Sequence, residues 1–153
     1  EKNKRIRLKP NKQDKEFLWF LRNDKFSREM FPSNRRILWQ EHSFWFHNLF
    51  KKKKNFYFIG IFKNQRIGFI KIEETKNNNF NLSINITNKF RNKGLGKFFL
   101  RKSCDNFFKK IKTKEITALV KINNNPSKKI FDYSYFKIKE RTEKYLYYSR
   151  LYK

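Results

Sequence analysis

The run Arg91-Asn92-Lys93-Gly94-Leu95-Gly96-Lys97 constrains the fold of this chain more than any other stretch. Before it, Phe80, Leu82, Ile84 and Ile86 are spaced by two, the period of a strand with one buried face. After it, Phe98 to Ile111 reads as a helix, with Leu95, Phe98, Phe99, Ser103, Phe107 and Ile111 on one stripe. A strand that turns through two glycines into a helix makes an anion site out of backbone. The first N–H groups of the helix have no partner in the chain, and the helix dipole places roughly half a positive charge there. The glycines permit a tight turn and a close ligand approach.

The charges around this turn point the same way. Helix starts favour acids, yet Arg91, Lys93 and Lys97 crowd this one with no acid adjacent. A bound anion would compensate them. A glycine turn in a lysine-rich chain is the plainer reading, and the Arg91-x-x-Gly94-x-Gly96 spacing is what separates the two. A Walker loop is excluded, because no Gly-Lys-Ser/Thr follows.

The rest of the chain alternates strands and helices. Lys4 to Leu8 alternates as a first strand, ended by Pro10 and Asn11. Phe17, Leu18, Phe20 and Leu21 carry a helical stripe up to Arg22-Asn23-Asp24, and Ser27, Pro32 and Ser33 predict an irregular link. A second helix holds Leu38, His42, Trp45, Phe46, Leu49 and Phe50 at spacings of three and four, and Lys51 to Lys54 is its solvated exit. Phe56 to Phe62 and Gln65 to Ile72 predict a hairpin turning at Lys63-Asn64, with a further turn at Lys76 to Asn79. Beyond the central helix, Ile116 to Ile122 is an apolar strand. Asn125-Pro126 starts a helix through Ile130 and Phe131. Phe136 to Lys139 and Lys144 to Tyr152 form a last hairpin. The order predicts a mixed α/β fold: one domain over residues 1–153, a mostly antiparallel sheet of about seven strands and about four helices.

Composition narrows the function. The formal charge of +26 suggests a nucleic-acid-binding module. Yet 28 of the 39 basic residues are Lys and 11 are Arg, whereas base and phosphate recognition leans on Arg. Lys, Asn, Ile, Phe and Tyr swell together beside 4 Gly and 1 Ala, the mark of an AT-rich bacterial genome. Nucleic acid is therefore disfavoured, though the charge would still draw anionic ligands. A single cysteine, Cys104, allows no internal disulfide and fits a cytoplasmic location. No run approaches the about 18 apolar residues a membrane span needs, and no His/Cys cluster suggests a metal.

Arg91-x-x-Gly94-x-Gly96 resembles the R/Q-x-x-G-x-G/A signature of the GNAT family of acetyl-CoA-dependent N-acetyltransferases. Asn124-x-x-Ser127-x-x-Ile130-Phe131-x-x-x-Tyr135-Phe136 resembles that family's N-x-x-S/A-x-x-L-Y-x-x-x-G-F segment. The resemblance covers about residues 4 to 152. It implies that acetyl-CoA binds as co-substrate along Ile84, Ile86, Arg91, Asn92, Lys93, Gly94, Leu95, Gly96 and Lys97, and beside Asn124, Ser127 and Phe131. Two positions depart from the pattern. Phe131 stands where the family's proton-donating Tyr would be, and Tyr135 stands at the Gly position. A phenyl ring donates no proton, so the leaving thiolate would draw one from water, the substrate ammonium or another Tyr.

Phe20-Leu-Arg22-Asn23-Asp24, Met30, and Trp39-Gln-Glu41-His42-x-x-Trp45-Phe46 resemble a narrower group. Its members acetylate nucleotide-linked 4-amino sugars of the pseudaminic-acid type. The resemblance implies that Arg22, Asn23 and His42 meet the acceptor. A protein N-terminus or lysine is the alternative acceptor. A CoA-binding chain without turnover is a further one, and monomer and homodimer both remain open. For the base that takes the amine proton, the candidates are Glu73, Glu74, His42 or a water relay, with Glu73 and His42 preferred. The strand Phe80 to Ile86 offers no acid. His42 could equally be a histidine satisfied within its apolar stripe.

Overall fold

The strand β2 (Phe56–Phe62) is buried from Phe56 to Ile61 because both of its faces are covered. Phe56 and Phe58 enter one core, while Tyr57, Ile59 and Ile61 enter a second on the opposite face. Such continuous apolar runs mark the centre of a sheet sandwiched between helices. The computed structural model describes residues 3–30 and 34–152. Pro32 and Ser33, two of the predicted breakers, lie outside the described residues.

Among the described residues seven strands form one sheet, in the order β1-β2-β3-β4-β5-β7-β6. Besides β2 they are β1 (Lys4–Leu8), β3 (Gln65–Lys76), β4 (Asn79–Ile86), β5 (Glu115–Lys121), β6 (Lys137–Arg141) and β7 (Tyr145–Leu151). All neighbours pair antiparallel except β4 and β5, which run parallel. The helices are α1 (Lys15–Asn23), α2 (Lys25–Met30), α3 (Trp39–Asn48), α4 (Leu95–Lys110) and α5 (Asn125–Asp132). This is the mixed α/β architecture the sequence predicts.

The face under α4 holds the larger core. Phe107 sits edge-on to Phe56 and Phe80, with ring centroids 5.0 and 4.9 Å away, and Leu100 and the Cys104 thiol are fully enclosed. Burying each large apolar side chain contributes roughly 1.5–3 kcal/mol. The opposite face, under α1 and α3, gathers Leu18, Leu21, Leu49, Tyr57, Ile59 and Phe69.

Three local readings shift. The segment predicted as an irregular link contains α2, because the Asp24 carboxylate accepts from Ser27 N at 3.1 Å and caps a turn that propensity alone would not start. The last helix is capped by Asn124 rather than Asn125, since the Asn124 side chain accepts from Ser127 N. The central helix begins at Leu95, three residues before the predicted start, directly behind the left-handed Gly94 (φ 78°).

Candidate active site

Strands β4 and β5 pair only at Phe80–Ile116 and Asn81–Thr117, and beyond these they diverge. The split opens a cavity of about 280 Å³ between Leu82–Ile86 on one side and Leu119–Lys121 on the other. Backbone groups of β4 that lose β5 as partner must find another, and an extended chain lying in the split would supply it. The turn before α4 and the start of α5 close the far end through Gly94, Gly96, Lys97, Asn124 and Ser127. No side chain caps the N-terminus of α4, so its first amides face this space without a side-chain partner.

Of the residues expected at the cofactor, Ile84, Ile86, Arg91, Asn92, Gly94, Gly96, Lys97, Asn124, Ser127 and Phe131 line this cavity. Lys93 points to solvent, and Leu95 is buried beneath the turn. The two glycines do different work. At Gly94 the positive φ excludes most side chains, although a Cβ there would touch nothing. At Gly96 a Cβ would come within 2.3 Å of Ile130 Cδ1, so this glycine lets α5 pack against α4. Arg91 does have an acid, supplied from far along the chain: its guanidinium donates to Asp24 Oδ2 at 2.9 Å and to Ile86 O at 3.1 Å. It also covers the Phe26 ring, 4.5 Å from the centroid.

Phe131 is fully buried, stacked on Tyr148 at 5.2 Å and edge-on to Phe136 at 5.0 Å. The Tyr148 hydroxyl already donates to Asp132 at 2.8 Å. Tyr135 adopts φ 67°, which explains the glycine in the pattern it departs from.

A second cavity, about 410 Å³, lies on the α1–α3 side of β3 and β4. Ser83 and Asn85 line both cavities, so the two meet at β4. Helix α2 is the partition: Phe26, Ser27 and Met30 face the first cavity and Arg28 the second. Lys121 Nζ donates to Glu29 O at 2.7 Å and fastens this partition to β5. The floor of the second cavity is two cross-strand pairs, Phe69 opposite Asn85 and Lys71 opposite Ser83. Its walls carry Arg22, Arg28 and Arg35 against one acid, Glu41. Arg35 grips Glu41 with two bonds of 2.9 and 2.8 Å and holds its carboxyl down at about 2.

Of the three residues expected at the acceptor, Arg22 lines this cavity, and Asn23 and His42 stand behind its wall. The Asn23 amide donates to Ile37 O at 2.9 Å and accepts from Ile37 N at 2.6 Å, pinning the segment before α3 to the end of α1. His42 is completely buried. Arg22 donates to its Nδ1 at 3.0 Å, so Nε2 carries the proton and donates to Lys15 O at 2.7 Å. Burial, followed by the nearby Arg22 and Lys15 charges, lowers His42 to about 4 even though the Lys15 carbonyl favours the charged form. Arg22 lies 4.0 Å over the Trp45 ring, and burial lowers it to about 10.

The preferred base Glu73 does not line either cavity. Its Oε2 accepts from the Tyr57 hydroxyl at 2.9 Å, and its Oε1 lies 3.8 Å from Lys71 Nζ. Lys71, Arg28, Arg35, Ser83 and Asn85 escaped the sequence reading. The signal for the last two was present. If Phe80, Leu82, Ile84 and Ile86 face the core, then Ser83 and Asn85 face away from it, as polar positions on a central strand.

Among the described residues no group of three His, Cys, Asp or Glu could hold a metal ion, and no helix is long and apolar enough to cross a membrane.

A family model described as an acetyltransferase (GNAT) domain matches residues 5–134. A search of curated proteins finds no match. Among solved structures, spermidine N-acetyltransferase from Vibrio cholerae, in complex with CoA and spermine, superposes with a TM-score of 0.84 at 14% identity, covering 99% of this chain and 97% of that one. A domain from Methanocaldococcus jannaschii gives 0.80 at 20% identity, covering 97% and 99%. The Campylobacter jejuni N-acetyltransferase PseH, in complex with acetyl coenzyme A, gives 0.73 at 18% identity, covering 97% and 100%.

Proposed function

The chain belongs to the GNAT acetyltransferase family, and from that premise we propose that it acetylates the free amine of a nucleotide-linked 4-amino sugar. As a member of that family it is an acyltransferase that uses acetyl-CoA. The divided cavity suits direct transfer: the thioester lies in the split between β4 and β5, the amine enters over Lys71 and Ser83, and the two meet at Ser83 and Asn85. Direct transfer gains mainly from holding both reactants in register. A backbone N–H of β4 in the split can polarise the thioester carbonyl.

The observation that carries the acceptor assignment is the charge of the second cavity. Arg22, Arg28 and Arg35 line it with one carboxylate, which Arg35 already occupies. Guanidinium forks match phosphate and carboxylate geometry. A diphosphate-linked sugar brings the anion these side chains fit, and its hexose would lie on the aromatic floor and wall at Phe69 and Trp45. Spermidine, the substrate named for one structural neighbour, is a polycation and would meet three arginines there. A lysine side chain would meet the same charges. The Arg22-Asn23-Asp24 and Glu41-His42 motifs support the sugar reading.

The test is a turnover screen with acetyl-CoA, comparing UDP- and dTDP-linked amino sugars with polyamines and peptides. Arg28→Ala should raise KM for the sugar nucleotide at least tenfold and leave acetyl-CoA binding intact. Preferential turnover of polyamines or peptides would overturn the assignment of the acceptor.

A further inference from the structure

Acetyl transfer to an amine needs a group that takes a proton from the ammonium and one that returns a proton to the departing sulfur. His42 and Glu73, the bases preferred from the sequence, are otherwise engaged, and so is Glu41. Both His42 ring nitrogens are hydrogen-bonded in the interior. Glu41 is held by Arg35 and by Leu38 N, and Glu73 lies outside the lining with the Tyr57 hydroxyl on it. Phe131 carries no proton at all. What remains on the floor of the second cavity is Lys71, directly opposite Ser83 in the β3–β4 register. Opposed residues of antiparallel strands hold their Cβ atoms about 4.5–5.5 Å apart on one face of the sheet. Ser83 alone of this pair reaches the first cavity as well, so the two stand in line from amine to thioester.

We infer that Lys71 accepts the proton of the acceptor ammonium and that Ser83 passes a proton to the leaving sulfur. The inference rests on the acetyltransferase reading but needs no particular acceptor. Lys71, as a neutral amine, takes one proton from the ammonium, and the freed amine attacks the acyl carbon. As the carbon–sulfur bond breaks, Ser83 Oγ gives its proton to sulfur and takes the second proton from nitrogen. The proton on Lys71 leaves to solvent. One ammonium and one thioester thus become one amide, one thiol and one released proton.

The surroundings favour a neutral Lys71 before substrate arrives. Burial lowers its pKa, Glu73 at 3.8 Å works against that, and Arg22 on α1 adds to it. The other charged groups facing the cavity are Arg28 on α2, Arg35 on the segment before α3, and Glu41 on α3. Glu41 is neutralised by Arg35, so Glu73 is the acid left to hold the Lys71 side chain in place. A lysine whose pKa burial and a neighbouring cation lower gives and takes a proton more readily than a free one, whereas an arginine in its place would remain charged.

Lys71→Met and Lys71→Arg separate this role from mere anion binding. Both should lower kcat by about 100-fold or more, the range of general-base catalysis. In each variant the acetyl-CoA-induced rise in Tm should match wild type, which shows that the cofactor half of the site survives. Turnover is read with any amine the wild type accepts, so a wrong sugar assignment leaves the result standing. Lys71→Arg within a few-fold of wild type would overturn the inference. Ser83→Ala should lower kcat while Ser83→Thr, which keeps the hydroxyl, restores it; wild-type turnover by Ser83→Ala would overturn its part. A second measurement needs no turnover. After reductive methylation with a ¹³C label, the Lys71 signal, identified by its loss in Lys71→Met, should titrate below the other lysines. Titration together with them, at about 10.4, would overturn the inference.

Discussion

Arg91 Nη2 lies 2.9 Å from Asp24 Oδ2 and so ties the turn that opens α4 to the end of α1, 67 residues earlier. The same carboxylate accepts from Ser27 N at 3.1 Å, and the Ser27 hydroxyl, with one proton to give, donates to Asn85 Oδ1 at 2.9 Å, the nearer of its two acceptors. One short chain of bonds therefore connects the glycine turn before α4, the partition between the cavities, and the strand where they meet.

Removing that tie should disturb both halves of the site. Asp24→Ala leaves Arg91, whose side chain is 10% exposed, without its partner and removes the cap of α2. A loss of about 2 kcal/mol is expected from a charged hydrogen bond of this kind. Urea denaturation should read it, and the acetyl-CoA KM should rise several-fold. Arg91→Lys keeps the charge but not the fork, and should lose more than half as much stability as Asp24→Ala.

Asp14 is a second buried node, and it predicts acid lability. It is fully enclosed, with Arg7 at 2.7 and 2.8 Å, Arg66 at 2.8 Å and Asn11 N at 2.7 Å. Burial alone would raise its pKa, but the bonds from Arg7, Arg66 and Asn11 outweigh it and hold the carboxyl low. A lowered carboxyl contributes fully above its unfolded value of about 3.9 and loses that contribution as pH falls through the folded value. Asp14→Asn should cost about 3 kcal/mol at pH 7 and flatten the decline of stability below pH 4.

His42 acts in the opposite direction to a salt-bridged histidine. Its folded value of about 4 lies below the unfolded value, so the unfolded chain binds more protons between the two. Stability from a neutral His42 is complete above about pH 6.5 and falls as pH drops toward 4, by at most about 3 kcal/mol. The decline in Tm from pH 6.5 to 4.5 should shrink in His42→Gln. The kcat profile of that variant should keep the wild-type acid limb, because both ring nitrogens of His42 are already hydrogen-bonded in the interior.

Gly96 tests which role its lack of a side chain serves. Gly96→Ala puts a methyl against Ile130 Cδ1 and should destabilise by about 1–3 kcal/mol, as overpacking does. Adding Ile130→Ala should restore acetyl-CoA binding in the double variant. Continued loss of binding there would mean that the ligand, rather than α5, needs the space at Gly96.

Apart from α2, sequence alone determined the order of strands and helices and most of the residues that line the first cavity. Both are local: period-two and period-3.6 patterning, two glycines between a strand and a helix, and a capped α5 lie within short windows where spacing fixes the backbone. The positive φ of 78° at Gly94 could be anticipated for the same reason. Tertiary structure decided the rest, because the second cavity is assembled across the chain. Lys71 meets Ser83 only through strand register, Arg28 enters only because Asp24 caps α2, and Arg91 finds its acid 67 residues away. Arg22, Asn23 and His42 were legible as a motif, but their division into one cavity residue and two supports was not. Side-chain chemistry is written in the sequence; which partner satisfies each buried group is settled only when the elements pack.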